Sequence, residues 1–223
     1  MLSGKNLVKS YGALNVLKGV DIEVGKSEIV SIVGASGAGK STLLHILGTL
    51  DSPDQGELII GGQNVSTLSS TALSKFRNSK IGFVFQFHNL LPEFTSFENV
   101  CIPGFIAGKK EEDVYGKARK IMAELNIDHR KNHKPGELSG GEQQRVAVAR
   151  ALINDPDIVF ADEPSGNLDS KHAGELHQLF FDLRDKFGQT FIIVTHNEVL
   201  ANMADRKLEI QDGKILNEYA IKG

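Results

Sequence analysis

The apolar positions in the first third of the chain fall into short runs separated by glycines, which is typical of β-strands joined by tight turns. One helix is predicted among these strands. It covers Lys40–Leu50, where helix-forming residues follow a glycine-rich turn. The candidate strands are rich in Val and Ile and comprise Asn6–Val8, Val20–Val24, Glu28–Val33, Glu57–Ile60 and Ile81–Phe85. This third is therefore predicted to be mostly strand.

The spacing of apolar residues becomes helical in the middle of the chain. One set recurs at intervals that place its members on a single face of an amphipathic helix: Val114, Ala118, Ile121, Met122 and Leu125. A second helix is predicted over Gly140–Leu152, directly after a serine. The middle third is therefore predicted to be helical.

The last third alternates between strand and helix. Ile158–Ala161 and Phe191–Thr195 are continuous apolar runs, which are typical of parallel strands buried on both faces. A helix is predicted between them, and a terminal hairpin is predicted over Leu208–Ile210 and Ile215–Leu216. We therefore expect one α/β domain over residues 1–223, with a core of about 1–90 and 155–223 and a helical subdomain inserted near 91–154.

The composition narrows the class of protein. The 223 residues are 40% hydrophobic and carry a formal net charge of −3, which excludes a disordered chain. The near-balanced charge argues against nucleic acid as a partner. No apolar run approaches the roughly 18 to 20 residues that a membrane-spanning helix requires. A role at a membrane would therefore need another subunit to cross it.

A phosphate-binding motif follows the third predicted strand. Residues 34–42 satisfy the pattern G-x-x-x-x-G-K-[ST], between a strand and a helix as the motif requires. Its glycines allow several backbone N–H groups to point at one phosphate, at the positive end of the helix. Lys40 is expected to reach the β- and γ-phosphates of a nucleotide, and Ser41 to supply a hydroxyl to Mg²⁺. The predicted nucleotide-binding residues are Gly34, Ala35, Ser36, Gly37, Ala38, Gly39, Lys40, Ser41 and Thr42.

Two carboxylates follow the buried run Ile158–Ala161. Ligands of open α/β sheets bind at the carboxyl ends of the strands, so these groups are expected to face a ligand. Asp162 is predicted to hold Mg²⁺, and Glu163 to act as the general base that activates a water molecule. His196 ends another strand in the same way and is predicted to contact the γ-phosphate. These residues favour hydrolysis over phosphoryl transfer to another molecule.

Leu138–Arg145 contains a second candidate anion site. Ser139 offers a hydroxyl, and Gly140 and Gly141 offer unobstructed N–H groups at a predicted helix start, followed by Glu142. One small chain cannot easily wrap a single nucleotide with two distant sites. A second copy of the chain, packed head to tail, would satisfy that geometry.

These motifs, in this order, resemble those of the ATP-binding subunits of ABC transporters. Residues 34–42 match Walker A, Ile158–Asp162 match Walker B and Leu138–Glu142 match the signature, with Glu142 where Gln is commoner. The resemblance extends over nearly the whole chain. It implies a P-loop NTPase fold with a RecA-like core, an N-terminal antiparallel β subdomain and an inserted helical subdomain.

The same resemblance implies roles for further residues. Glu163 matches the catalytic carboxylate, His196 the switch histidine, and Gln86 the Q-loop glutamine that contacts nucleotide and Mg²⁺. Asn167–Asp169 matches the D-loop. Tyr11 is similar to the aromatic residue that stacks on adenine, and the alternative is an ordinary half-buried strand tyrosine. ATP and Mg²⁺ are the cofactors that the resemblance implies.

Within the family, residues 86–95 and 128–135 are most similar to the ATPases of lipoprotein-releasing systems. This implies two copies that bind two ATPs between them. It also implies that they power integral membrane subunits from a peripheral position on the cytoplasmic face of the bacterial inner membrane. The alternatives are the ATPase of a non-transport complex of the FtsE type and that of a MacB-like exporter. Phe94 and Phe97 flank the loop that receives the membrane subunit in the family, and one of them is expected to face that partner.

Two histidines, His129 and His133, are four residues apart, as in some helical zinc pairs. No third ligand lies at a suitable spacing, and Pro135 ends any helix. We therefore expect a solvated loop here.

Overall fold

The structure is a computed structural model that describes residues 1–221. Its strands are β1 (Leu2–Tyr11), β2 (Leu14–Val24), β3 (Ile29–Val33), β4 (Gln55–Ile60), β5 (Gln63–Asn64), β6 (Ile81–Phe85), β7 (Ile158–Asp162), β8 (Thr190–Val194), β9 (Arg206–Gln211) and β10 (Lys214–Ala220). Its α-helices are α1 (Lys40–Leu47), α2 (Ser70–Lys80), α3 (Ser96–Ile106), α4 (Glu111–Glu124), α5 (Gly140–Leu152), α6 (Ser170–Phe187) and α7 (Glu198–Met203). Short 3₁₀ turns lie at Val65–Thr67, Asp128–Arg130 and Pro135–Glu137. The chain forms two compact units, one of residues 1–74 with the chain from Leu183 onward, and one of Lys75–Asp182.

The first unit contains two sheet regions. In one, β1 pairs antiparallel with β2 on one side and β4 on the other, and β5 continues the sheet beyond β4. In the other, β3 lies between β8 and β9 and runs parallel to both, while β10 forms an antiparallel hairpin with β9. Because β3 and β8 are parallel neighbours, the residues that follow them emerge at the same edge of the sheet.

Strands β3 and β8 belong to the core of the first unit. Every residue of β8 is buried, as are the first four residues of β3. Burial on both faces is what their continuous apolar runs predict. Ser31 is a polar residue within β3, and its hydroxyl donates a hydrogen bond of 3.1 Å to the carbonyl of Ala201. That bond satisfies the hydroxyl despite its burial.

The second unit combines a parallel pair of strands with helices. β6 and β7 pair so that Phe85 lies opposite Asp162, which brings the ends of the two strands together. α5 packs against α3, α4 and β6. The predicted apolar face of α4 is buried at Val114, Ala118 and Met122. These helices all lie within the segment that the sequence predicts to be helical.

The loop between β6 and α3 is held by the start of α3. Thr95 and Glu98 form a reciprocal capping box that satisfies the first N–H groups of the helix. The side chain of Asn99 is buried, and its Nδ2 donates to the carbonyl oxygens of Leu91, Phe94 and Thr95 over 3.1, 3.2 and 3.0 Å. The backbone after Gln86 therefore has a defined path despite its exposed side chains.

The predicted elements are present, although several differ in their bounds and some observed elements, such as β5 and α7, were not predicted. β1 and β2 extend well beyond Asn6–Val8 and Val20–Val24, because their exposed polar residues belong to the strands as well. α1 ends at Leu47 rather than Leu50, since Gly48 caps it. α2 has no counterpart in the prediction, because it buries no residue and therefore lacks an apolar period. The boundaries of the expected core and helical subdomain stay a prediction.

No α-helix within residues 1–221 is both long enough and apolar enough to span a membrane.

Candidate active site

The phosphate loop lies in the first unit between β3 and α1. A Cβ at Gly34, whose φ is +152°, would lie 2.2 Å from the carbonyl oxygen of Ile210, so only glycine fits there. Gly37 and Gly39 also have positive φ, of 78° and 104°. Glycine adopts such angles at little cost, whereas other residues are strained by them. The predicted tight turn is therefore present, and these glycines account for it.

The loop presents a positive environment. The ammonium of Lys40 lies over the turn and donates to the carbonyl oxygens of Gly34 and Ala35 over 2.8 and 2.9 Å. No side-chain oxygen caps α1, because its N-cap is Gly39, and its first turn holds no acidic residue. The positive end of the helix dipole therefore adds to the charge of Lys40, an arrangement suited to a phosphate.

The terminal hairpin supports the phosphate loop from behind. The N–H of Gly213 donates to the carbonyl of Ala38 over 3.1 Å, while the carbonyl of Gly213 accepts from the N–H of Lys18 over 2.9 Å. A Cβ at Gly213 would lie 2.2 Å from the carbonyl oxygen of Val16. Gly213 therefore joins β2 to the phosphate loop, a contact that the predicted hairpin over Leu208–Ile210 and Ile215–Leu216 does not indicate.

His196 lies in the same unit, just beyond β8. Ile32 and Val194 are register partners in the parallel pair, and the N–H of Thr195 donates to the carbonyl of Ile32 over 3.2 Å. The ends of β3 and β8 are therefore neighbours, and His196 emerges exposed at the edge that leads into the phosphate loop. Asn197 then caps α7 by accepting from the N–H of Leu200 over 3.1 Å.

Tyr11 ends β1 and is tied to the region after α1. Its hydroxyl lies 2.5 Å from Oδ2 of Asp51, and the residue is 51% exposed. That hydrogen bond is the main cause of a raised pKa for Tyr11, and the side chain of Thr42 in the phosphate loop contacts the same hydroxyl. Lys9 pairs with Asp51 over 2.8 Å, which completes the network. The stacking of adenine on Tyr11 stays a prediction.

In the second unit, the acidic residues and Gln86 follow neighbouring strands. The pairing of Phe85 with Asp162 places Gln86 and Glu163 one residue beyond the ends of β6 and β7. Glu163 has a φ of +46°, an uncommon angle for a residue with a side chain. Such strained positions recur at functional sites. The backbone therefore turns sharply at Glu163.

Gln86 and Asn167 hold each other through two hydrogen bonds. Nε2 of Gln86 donates to Oδ1 of Asn167 over 3.2 Å, and Nδ2 of Asn167 donates to the carbonyl of Gln86 over 3.1 Å. A Cβ at Gly166 would lie 2.9 Å from Nε2 of Gln86. The segment matched to the D-loop is therefore in contact with the segment matched to the Q-loop within this unit.

The signature segment begins α5. Ser139 is its N-cap: its hydroxyl oxygen accepts from the N–H of Glu142 over 3.3 Å, and Oε2 of Glu142 accepts from the N–H of Ser139 over 2.7 Å. A hydroxyl that accepts in this way keeps its own hydrogen, which can donate to a phosphate oxygen. The predicted helix start with an available hydroxyl is therefore present.

The signature glycines pack closely against the segment after Asn167. A Cβ at Gly140 would lie 3.3 Å from Cδ2 of Leu168, and a Cβ at Gly141 would lie 3.2 Å from Cδ2 of His172. His172 donates its N–H to Asp169 over 3.0 Å, and this bond is the main cause of a lowered pKa for Asp169. A side chain at either signature position would therefore require Leu168 or His172 to shift by a few tenths of an ångström.

Some contacts of the second unit were not predicted from the sequence. Nε2 of His177 lies 2.9 Å from the hydroxyl of Ser165, with both side chains buried. Burial lowers the pKa of His177. Arg150, near the end of α5, donates to the carbonyls of His88 and Asn89 over 2.7 and 2.6 Å. Neither contact has a local sequence signal, because the partners are distant along the chain.

The expectation of a solvated loop around the two histidines is only partly right. His129 is exposed, but Nε2 of His133 lies 3.4 Å from a guanidinium nitrogen of Arg130, and Nδ1 of His133 is buried. Nε of Arg130 in turn lies 2.6 Å from Oε1 of Glu142. Among residues 1–221, no group of three or more His, Cys, Asp or Glu side chains is arranged to hold a metal ion.

The whole sequence was compared with models of known protein families. The sequence model of the ABC transporter family matches residues 17–166, which is more than half of the chain. The chain therefore belongs to the ABC transporter family.

Individual relatives are similar over nearly the full length of the chain. The lipoprotein-releasing system ATP-binding protein LolD of Cytophaga hutchinsonii is 59% identical over 216 residues, which cover 97% of this chain and 99% of the relative. The protein of the same name from Bacteroides fragilis is also 59% identical over 216 residues, with 97% of this chain and 100% of the relative covered.

A solved structure agrees with the fold. The dimeric, post-hydrolysis structure of the ATP-binding cassette MJ0796, bound to ADP and Pi, matches with a TM-score of 0.91 at 39% identity and covers 100% of both chains. These likenesses confirm the expected α/β P-loop NTPase fold. They also confirm the assignment of the chain to ATP-hydrolysing ABC subunits.

Proposed function

We propose that this chain is the ATP-hydrolysing subunit of an ABC complex that releases lipoproteins from the bacterial inner membrane. The observation that carries the proposal is the 59% identity, over 97% of this chain, to proteins named for a lipoprotein-releasing system. Family membership alone would not distinguish this role from that of an FtsE-type or MacB-like ATPase. The full-length similarity favours lipoprotein release.

The nucleotide is bound by residues of the first unit. The N–H groups of residues 34–42 and the ammonium of Lys40 hold its phosphates, since they surround a glycine turn at the positive end of α1. The adenine stacks on the exposed ring of Tyr11. Binding releases Lys40 from its own loop carbonyls, because a phosphate is a stronger acceptor than a carbonyl.

Mg²⁺ is the metal that the donor set suits. Ser41, Gln86 and Asp162 offer a hydroxyl, an amide and a carboxylate, all hard oxygen donors of the kind that Mg²⁺ prefers. Mg²⁺ usually keeps several waters beside substrate phosphates, so it needs few protein ligands. When bound, the ion would neutralise charge on the phosphates.

Hydrolysis uses Glu163 and His196. The Glu163 carboxylate accepts a proton from the attacking water, and its strained backbone holds it at the end of β7. His196 hydrogen-bonds the γ-phosphate. Most of the remaining acceleration comes from positioning and from charge stabilisation by Lys40 and the backbone N–H groups.

A second copy of the chain completes each nucleotide site. Ser139, Gly140, Gly141 and Glu142 of one copy face the γ-phosphate held by the other, in a head-to-tail dimer with two ATPs. The dimeric state of the MJ0796 structure supports this arrangement. ATP then holds the two copies together, and hydrolysis separates them.

The membrane partner contacts the segment after Gln86. Phe94 is 41% exposed and Phe87 is 73% exposed, although both are large and apolar. Phe97 instead packs on Tyr115, with ring centroids 5.2 Å apart, so Phe94 rather than Phe97 is the candidate for that contact. The chain thereby acts as a peripheral subunit on the cytoplasmic face of the inner membrane.

Purification of the tagged chain from native membranes in mild detergent, with mass spectrometry of its partners, tests the proposal. We expect paired integral membrane subunits with large extracytoplasmic domains. Depletion of the chain should then leave lipoproteins in the inner membrane. A division protein as the partner would support the FtsE-type alternative instead, and recovery without any membrane partner would contradict a transport role.

A further inference from the structure

The signature carries an acidic side chain that a neighbouring arginine holds. Oε1 of Glu142 accepts from Nε of Arg130 over 2.6 Å, while Oε2 accepts from the N–H of Ser139 over 2.7 Å. Nε2 of His129 lies 3.8 Å from the same Oε1, and the Arg130 guanidinium reaches Nε2 of His133 at 3.4 Å. Both carboxylate oxygens of Glu142 are therefore directed at protein partners.

Without that arginine, the charge of Glu142 would oppose an incoming phosphate. Burial raises the pKa of Glu142, but hydrogen bonds from Ser139 and Arg130 lower it by more, to about 2, so the carboxylate is ionised at neutral pH. It lies in the first turn of α5, where a negative charge offsets the positive end of the helix dipole. A phosphate at this turn would be attracted by the positive end of the helix dipole and repelled by the carboxylate.

We infer that Arg130 is a positioning residue for the ATP-dependent contact between two copies of this chain. It neutralises Glu142 and fixes the direction of its carboxylate, so that the Ser139 hydroxyl and the N–H groups of α5 can donate hydrogen bonds to the γ-phosphate bound by the second copy. The inference rests on the proposed role of Ser139–Glu142 in binding the nucleotide of the second copy. It adds a residue that lies outside the signature motif.

The exposure of the pair separates this role from a purely structural one. The side chain of Arg130 is 37% exposed and that of Glu142 is 20% exposed. Exposed ion pairs contribute little to folding stability, and Arg130, the partner that the test removes, is the more exposed of the two. Removal of Arg130 is therefore expected to change the charge at the start of α5 more than the stability of the chain.

The test measures ATP-dependent dimerisation by light scattering in Glu163→Gln protein, which retains ATP. Arg130→Ala is expected to weaken dimerisation by about 3- to 30-fold, because each of two sites loses a charge contribution at a helix start. Adding Glu142→Gln to Arg130→Ala should restore dimerisation to within about threefold, since the opposing charge is then absent. Dimerisation of Arg130→Lys should be intermediate between that of Arg130→Ala and that of the parent, because lysine keeps the positive charge but lacks the planar guanidinium with its fixed donors.

The controls separate this contact from folding and from nucleotide binding. Lys131→Ala removes a neighbouring cation that pairs with Asp128 rather than Glu142, and it should leave dimerisation unchanged. ATP titration of the isolated chain and thermal unfolding should be unaltered by Arg130→Ala. Unchanged dimerisation of Arg130→Ala, or a defect that Glu142→Gln does not rescue, would overturn the inference while the proposed function stands. A parent protein that never dimerises with ATP would overturn both.

Discussion

The hydroxyl of Tyr11 donates a hydrogen bond of 2.5 Å to Oδ2 of Asp51. Asp51 also pairs with Lys9 over 2.8 Å, and the Lys9 ammonium lies 5.2 Å from the centre of the Tyr11 ring. The aromatic ring is therefore held by its hydroxyl and by a cation that lies over it, while the residue as a whole remains 51% exposed. A ring fixed in this way loses little freedom when a base stacks on it.

Tyr11→Ala is expected to raise the KM for ATP by about 5- to 150-fold, because stacking of a base on an aromatic ring contributes about 1–3 kcal/mol. Tyr11→Phe should retain most of the affinity, since the ring remains. Steady-state ATPase assays measure both. Tyr219→Ala removes another exposed tyrosine of the first unit as a control, and an equal loss in Tyr11→Phe would contradict stacking as the role of this residue.

Glu163→Gln should leave ATP binding intact and lower turnover by about 10²- to 10⁴-fold, as the loss of a general base does. The variant should also accumulate as a dimer with ATP, because the nucleotide that joins the copies is no longer hydrolysed. Phosphate release and light scattering measure the two effects. Glu23→Gln changes an exposed carboxylate in β2 and should behave as the unaltered protein. A Glu163→Gln protein that stays monomeric with ATP would count against the two-copy mechanism.

Lys40→Ala should weaken ATP binding rather than turnover alone, because the ammonium is the cation at the phosphate loop. Hydrogen bonds to charged groups contribute about 1.5–3 kcal/mol, so the loss in affinity should be about 10- to 150-fold. Isothermal titration with ATP measures it. Lys5→Ala, which removes an exposed lysine of β1, provides the matched control. An unchanged titration would remove Lys40 from its assigned role.

The stability of the chain should fall as the pH falls below about 6.5, the ordinary pKa of histidine. Burial lowers the pKa of His177, and burial together with Arg150 lowers that of His88. The unfolded chain therefore takes up protons that the folded chain does not, and each histidine contributes a slope of at most about 1.4 kcal/mol per pH unit. Above the pKa of histidine in the unfolded chain, both histidines are neutral in the folded and in the unfolded state. Their contribution to the free energy of unfolding is then fully present.

Urea unfolding at pH 8.0 and pH 5.5 checks this slope. His177→Gln should reduce the loss of stability between the two values of pH, and the measurement at pH 8.0 reports its packing cost separately. A slope that His177→Gln leaves unchanged would show that other groups carry the pH dependence.

Local patterns allowed much of the fold to be predicted. The apolar runs of β3, β7 and β8 identify buried parallel strands because a strand covered on both faces has no polar alternation. The missed helix α2 buries no residue, so its helical state leaves no apolar period in the sequence. Boundaries such as the end of α1 depend on a single capping residue and were predicted less well.

The sequence by itself determined the family and the motifs of the candidate site, because the phosphate loop, the strand-end carboxylates and the signature are each contiguous in sequence. Only the tertiary structure decided which distant residues support them. The contacts of Asp51 with Tyr11, of Gly213 with the phosphate loop and of Arg130 with Glu142 join residues that no local spacing relates. A motif is formed by residues that are adjacent in sequence, whereas these supporting contacts form only when folding brings distant segments of the chain together.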